Sequence, residues 1–127
     1  MKNSAQRPKF LNLLQIHLPI TGIASINHRL SGVILFLAIP ASLYLFQLSL
    51  SGESGFNEAL HYFSLPWVKI LLIPLTWSFS HHLFAGIRFL LIDQNLGVSL
   101  AAARMSAWLV IMLALVITVV VTGVWLL

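Results

Sequence analysis

The chain of 127 residues is 59% hydrophobic and only 8% charged, and its mean hydropathy is +0.96. A soluble domain is usually about one quarter charged, so this composition indicates an integral membrane protein. The formal net charge is +4, but the seven Lys and Arg residues are scattered near the ends of apolar stretches, which excludes a basic nucleic-acid-binding face. The absence of Cys excludes disulfides, thiolate-held iron–sulfur clusters within this chain and covalent c-type haem.

Three membrane spans are predicted after a polar amino-terminal segment, residues 1–24, which lacks a signal-peptide pattern. The predicted spans are residues 25–50, 66–92 and 106–127. Each exceeds the roughly 20 residues that cross the hydrocarbon core of a bilayer. Residues 51–65 and 93–104 are predicted to be polar loops, the second with a short interfacial helix through Leu100 to Ala103.

The whole chain, residues 1–127, is therefore predicted to be a single all-α membrane-anchor domain in the lipid bilayer. Three helices that carry buried polar residues enclose little space, so we expect the helices of a partner subunit to complete a larger bundle. Lys and Arg residues flank the start of the first span and the second loop. The positive-inside rule then places the amino terminus in the cytoplasm and the carboxyl terminus in the periplasm of a bacterial cytoplasmic membrane.

The second span contains an imidazole at membrane depth, which is costly and marks a functional-site hypothesis. His82, Gly86, Phe89 and Asp93 are spaced to share one helical face, whereas His81 points about 100° away and is the weaker ligand candidate. Gly86 leaves room for a flat group, and haem iron accepts a neutral imidazole as an axial ligand. The alternative is that His82 is a packing histidine satisfied by a neighbouring helix.

The start of the first span carries a second polar cluster on one face. Its members are Ser25, His28, Arg29 and Gly32. A hydroxyl, an imidazole and a guanidinium together can hydrogen-bond a quinone carbonyl or bind a haem propionate. Arg88, near the same end of the second span, is expected to reach a propionate or to pair with Asp93. The alternative is an interfacial His beside a snorkelling Arg.

Transport is the less favoured function, because proton pumps and transporters use acidic groups within the membrane. Here Glu53 and Glu58 fall in a predicted loop, and Asp93 lies at the end of a span. A three-span chain also shows none of the paired repeats of secondary transporters. The residues therefore favour electron transfer through a haem with two histidine ligands, one of them from a partner.

Two motifs in this order resemble the cytochrome b anchor subunit of succinate dehydrogenase, respiratory complex II. Arg7–Pro8 precedes S-I-N-H-R-L-S at Ser25–Ser31, and P-I-T-G-I-A-S at Pro19–Ser25 is similar to proteobacterial members. In the second span, H-L-F-A-G-I-R-F-L-L-I-D at His82–Asp93 resembles the pattern H-x-x-x-G-x-R-[H/F]-x-x-x-D. The resemblance covers nearly the whole chain.

The resemblance implies that His82 is one axial ligand of the iron of haem b and that the companion anchor subunit supplies the other. It places Ser25 and Arg29 at the ubiquinone site, and His28 and Arg29 near the haem propionates. Flavin and iron–sulfur clusters belong to two further subunits, the flavoprotein and the iron–sulfur protein.

The implied function is electron transfer from succinate to ubiquinone, in the tricarboxylic acid cycle and the respiratory chain. The chain alone would not be an enzyme. The alternatives are a fumarate reductase anchor and a haem-free structural anchor.

The chain departs from the family pattern at four positions. Lys9 stands where an apolar residue is usual, Phe89 replaces a histidine that many members carry, and Ile92 and Asn95 flank the aspartate with uncommon choices. None of these departures alters His82, Ser25 or Arg29. Because Phe89 replaces that histidine, any role that the histidine has in other family members is absent here.

Overall fold

A computed structural model describes residues 17–126 of the chain, so the Arg7–Pro8 motif lies outside the described residues. In this part of the chain all regular structure is helical. The helices are α1 (Ile20–Ser49), α2 (Glu53–Ser64), α3 (Pro66–Asp93) and α4 (Leu100–Leu126). Three of them, α1, α3 and α4, are long and apolar enough to cross a membrane. The predicted all-α fold with three membrane spans is thereby confirmed.

The segment between the first two spans differs from its prediction. Residues 51–65 were expected to be a polar loop, but most of them form α2, which is 12 residues long. Phe56, Ala59 and Phe63 recur at helical spacing and give α2 one apolar face. Gly55 obscures this pattern in the sequence, yet it is needed there, because a Cβ would overlap the Leu48 carbonyl at the end of α1.

The second connection is shorter than expected, since it comprises only residues 94–99. Asn95 ends α3 in the left-handed conformation, with φ of 61°, and the next amide, that of Leu96, donates to the carbonyl of Leu91 at 3.0 Å. Ser99 then caps α4 by accepting from the amide of Ala102 at 3.3 Å. The short interfacial helix predicted through Leu100 to Ala103 is therefore the first turn of α4.

Small side chains bring the three long helices together. α3 packs extensively against both α1 and α4. The buried apolar residues of these helices are Ala24 on α1, Ala85 on α3, and Ala107, Val110 and Ala114 on α4. Small residues are what close helix packing in a membrane requires, since lipid provides no hydrophobic force between helices.

Two hydrogen bonds from adjacent histidines set the register of α3 against α1. His81 Nε2 lies 3.4 Å from the carbonyl oxygen of Ala24, and His82 Nδ1 lies 3.2 Å from that of His28. The two carbonyls are one helical turn apart, so sliding α3 along α1 breaks both bonds at once. At the end of the bundle that contains the predicted site, these two bonds therefore fix the position of α3 along α1.

The other end of the bundle is more open. An apolar cavity of about 820 Å³ lies between α1, α2 and α3, and Phe56, Trp67 and Pro74 are among its lining residues. Ser42 and Tyr44 line it from α1. None of the predicted site residues borders this cavity.

Candidate functional site

The structure brings together His28 and His82, which are 54 residues apart in the chain. Their rings stack with centroids 4.2 Å apart and an interplanar angle of 12°. Phe89, one of the predicted face-sharing residues of α3, meets the His28 ring edge-on at 5.2 Å. The structure therefore joins the two predicted clusters through three aromatic rings between α1 and α3.

Hydrogen bonds determine which nitrogen of His82 carries the proton. Nδ1 contacts the His28 carbonyl, and because a carbonyl only accepts, Nδ1 must be the N–H. The Ser31 hydroxyl donates to the same carbonyl at 2.8 Å, and its oxygen lies 3.3 Å from Nδ1, where it accepts from the same N–H. In the neutral ring the lone pair is then on Nε2, which is the form that binds a metal.

Two glycines on opposite helices leave space for the stacked rings. A Cβ built on Gly32 of α1 would lie 3.0 Å from His82 Cε1, whereas one built on Gly86 of α3 would lie 3.8 Å from His28 Nε2. The first distance is too short for comfortable contact, and the second is an ordinary van der Waals contact. Gly32 is therefore the glycine on which the position of the His82 ring depends.

Ser25 and Arg29 lie one turn apart on α1, and Arg29 follows His28 directly. Ser25 is half-buried and Arg29 is exposed. The hydrogen bonds around His82 include neither of them. Arg29 is thus at the surface of α1, where a ligand or another chain can reach it.

The fully buried imidazole is that of His81, not that of His82. His81 lies inside the bundle at 0% exposure, stacked on Trp77 with centroids 5.2 Å apart, whereas His82 is only half-buried. His81 Nε2 donates to α1, and within the described residues Nδ1 of this ring has no hydrogen-bond partner. His81 therefore packs the bundle, while His82 lies at its edge.

The similarity of this chain to known proteins extends over nearly its whole length. Residues 3–121 match the family model described as succinate dehydrogenase/fumarate reductase transmembrane subunit. The chain belongs to this family. It is 36% identical over 124 residues to the succinate dehydrogenase cytochrome b556 subunit of Coxiella burnetii, covering 96% of this chain and 98% of that protein. The proteins of the same name from Rickettsia felis and Rickettsia prowazekii are 32% and 34% identical, covering 89% and 83% of this chain and 88% and 82% of their own lengths.

In this transmembrane subunit the side chain of Arg88 bonds α4. It is 6% exposed; its Nε donates to Ser106 Oγ at 2.9 Å, and its guanidinium also donates to the Ala103 carbonyl at 3.2 Å. The predicted Arg88–Asp93 pair is wrong, because the side chain turns toward α4 and away from the end of α3. Arg88 joins α3 to α4 inside the bundle.

Arg88→Ala is expected to lower the free energy of unfolding by about 2–4 kcal/mol, since it removes hydrogen bonds from a charged donor and leaves a cavity. Thermal unfolding of the purified complex measures this loss. Arg104→Ala is the matched control, because Arg104 is exposed on α4. Equal melting temperatures for the two variants would contradict the role of Arg88.

Sequence reasoning did not single out Ser31, although the quoted motif of this family ends on it. Ser31 is fully buried, and its hydroxyl contacts both His28 and His82. The available signal was its spacing of three residues from His28, which places the hydroxyl next to the carbonyl of that residue. A serine in an apolar helix gives no further indication of a partner on another helix.

Proposed function

We propose that this transmembrane subunit is the haem b-carrying membrane anchor of a bacterial succinate dehydrogenase, and that it contributes to the ubiquinone site. The observation that carries the proposal is the contact of His82 Nδ1 with the His28 carbonyl and the Ser31 hydroxyl of α1, which leaves the lone pair of the ring on Nε2. The relatives' name, cytochrome b556 subunit, agrees with a haem-bearing chain.

The residues around His82 fit a haem. The Nδ1 side of the His82 ring is bonded to α1, the ring lies at the edge of the bundle, and Arg29, the residue after His28, is exposed. His82 would be one axial ligand, a second anchor subunit would supply the other, and His28 and Arg29 would bind the propionates. When bound, the haem supplies a one-electron carrier in the membrane.

Ser25 and Arg29 would bind the ubiquinone head group at the same end of α1. A guanidinium offers several N–H donors in a fixed planar arrangement, so Arg29 would orient a quinone carbonyl by hydrogen bonding. The Ser25 hydroxyl can donate to the carbonyl and can pass a proton inward from the aqueous side. Reduction of a quinone by two electrons takes up two protons, and this arrangement brings a proton donor to the carbonyl.

The remaining proposals concern assembly. The exposed apolar surface of α1 and the half-buried His82 support packing against a second anchor subunit. The flavoprotein and iron–sulfur subunits would then oxidise succinate on the side of the membrane that holds the amino terminus. The distribution of Lys and Arg supports a cytoplasmic amino terminus and a periplasmic carboxyl terminus.

A dithionite-reduced minus oxidised spectrum of the complex, purified through a tag on this chain, tests the proposal. We expect a b-type α-band in a preparation that contains four subunits and reduces ubiquinone with succinate. An intact complex that oxidises succinate but shows no such band would be a haem-free anchor. A complex that only reduces fumarate would contradict the direction of the reaction.

A further inference from the structure

The His82 ring is held by α1, the helix opposite its own. Its Nδ1–H is shared between the His28 carbonyl at 3.2 Å and the Ser31 hydroxyl at 3.3 Å. Both distances are at or just beyond the upper end of the usual range for such bonds, about 2.7–3.2 Å. A shift of a few tenths of an ångström is therefore enough to break them.

Gly32 controls that distance. A Cβ at position 32 would lie 3.0 Å from Cε1 and 3.4 Å from Nδ1 of His82, which is the same edge of the ring that forms the hydrogen bonds. An alanine there pushes this edge away from α1. Two residues of α1 thus act on the same edge of the His82 ring. Gly32 allows this edge to approach α1 because it has no side chain, and the Ser31 hydroxyl holds the edge there by a hydrogen bond.

We propose that Ser31 and Gly32 are positioning residues that fix the tautomer and the orientation of His82 from the opposite helix. The inference rests on the proposed role of His82 as the haem ligand. Outer hydrogen-bond partners of a ligating histidine orient its ring and raise its basicity. A more basic imidazole stabilises the ferric state, so the pair also tunes the midpoint potential of the haem.

The test is a redox titration of the haem in the assembled complex, together with the electron paramagnetic resonance spectrum of the ferric form. Ser31→Ala removes one acceptor from Nδ1–H, so we expect the midpoint potential to shift to a more positive value. Gly32→Ala rotates or displaces the ring, so we expect changed g-values as well as a shifted potential.

Two matched controls separate these effects from general changes in the helices. Ser42→Ala removes a hydroxyl that bonds only the Ala38 carbonyl of its own helix, at 2.9 Å. Gly123→Ala adds a methyl group to a span at a position where, apart from the adjoining residues and backbone of its own helix, no atom of the described residues lies within 4 Å. Both variants should keep the potential and the spectrum of the parent complex.

The inference is overturned if Ser31→Ala and Gly32→Ala both titrate like the controls in a complex that contains haem. Should the alanine at position 32 prevent assembly, the Ser31 variant decides alone, because it only removes an oxygen. Failure of the proposed function looks different: the parent complex would lack haem, or a His82 variant would keep a normal haem spectrum.

Discussion

Replacing His82 with alanine is expected to abolish the b-type α-band or to change its position and intensity severely. The variant removes Nε2 of His82, the ring nitrogen that keeps its lone pair when Nδ1–H bonds to α1. A haem left with one axial ligand from the partner subunit would lose the low-spin spectrum that two nitrogen ligands give. The measurement is the reduced-minus-oxidised spectrum per mole of flavin in the purified complex.

His61→Ala is the control for this substitution, because His61 is exposed on α2 and takes no part in the histidine pair. It should leave the spectrum unchanged. If the His82→Ala complex fails to assemble, His82→Met tests the same point, since a thioether also ligates iron and gives a higher midpoint potential. A normal spectrum and potential in either variant would exclude His82 as the ligand.

Arg29→Ala should reduce the rate of ubiquinone reduction by about 10- to 100-fold. A hydrogen bond from a charged donor contributes about 1.5–3 kcal/mol, and roughly 1.4 kcal/mol corresponds to a factor of ten. Oxidation of succinate with a soluble dye as acceptor should be unchanged, because that reaction ends before the quinone. Steady-state rates with the two acceptors measure the difference.

Arg104→Ala provides the comparison, as it removes an exposed guanidinium from α4. Its quinone and dye rates should both match those of the parent complex. Equal quinone rates and equal KM for ubiquinone in the Arg29 variant and the parent would rule out a role for this guanidinium at the quinone. A parallel loss of both rates would instead mark Arg29 as a residue needed for assembly.

Periodicity and hydropathy were sufficient to predict the three spans, because a helix that faces lipid must be apolar over its whole length. They were insufficient for α2, whose apolar face is interrupted by Gly55 and flanked by acidic residues. They also misplaced the start of α4, where the cap is a single hydroxyl on Ser99. Short polar helices and helix starts depend on local hydrogen bonds, which hydropathy does not report.

The histidines show a similar division. Helical geometry predicts that the side chains of His81 and His82 point in different directions, but it does not say which of the two directions is buried. The packing of α3 between α1 and α4 shows that His81 is the fully buried histidine. Likewise, the sequence shows that Arg88 is a charged residue in an apolar span, but the direction of its side chain depends on its hydrogen bond to Ser106 of α4. A contact between two helices depends on one residue from each helix. The periodicity of a single helix identifies the face on which a residue lies, but not its partner on the other helix.

The sparse burial of α1 bears on how the subunit enters the membrane. Only 6% of its most apolar window is buried within the chain, against 22% for α3 and for α4. Because hydrocarbon solvates such a surface as well as protein does, α1 is stable in lipid before anything packs on it. The α1 helix can therefore enter the bilayer before α3 and α4 have been synthesised, and it remains stable there without them.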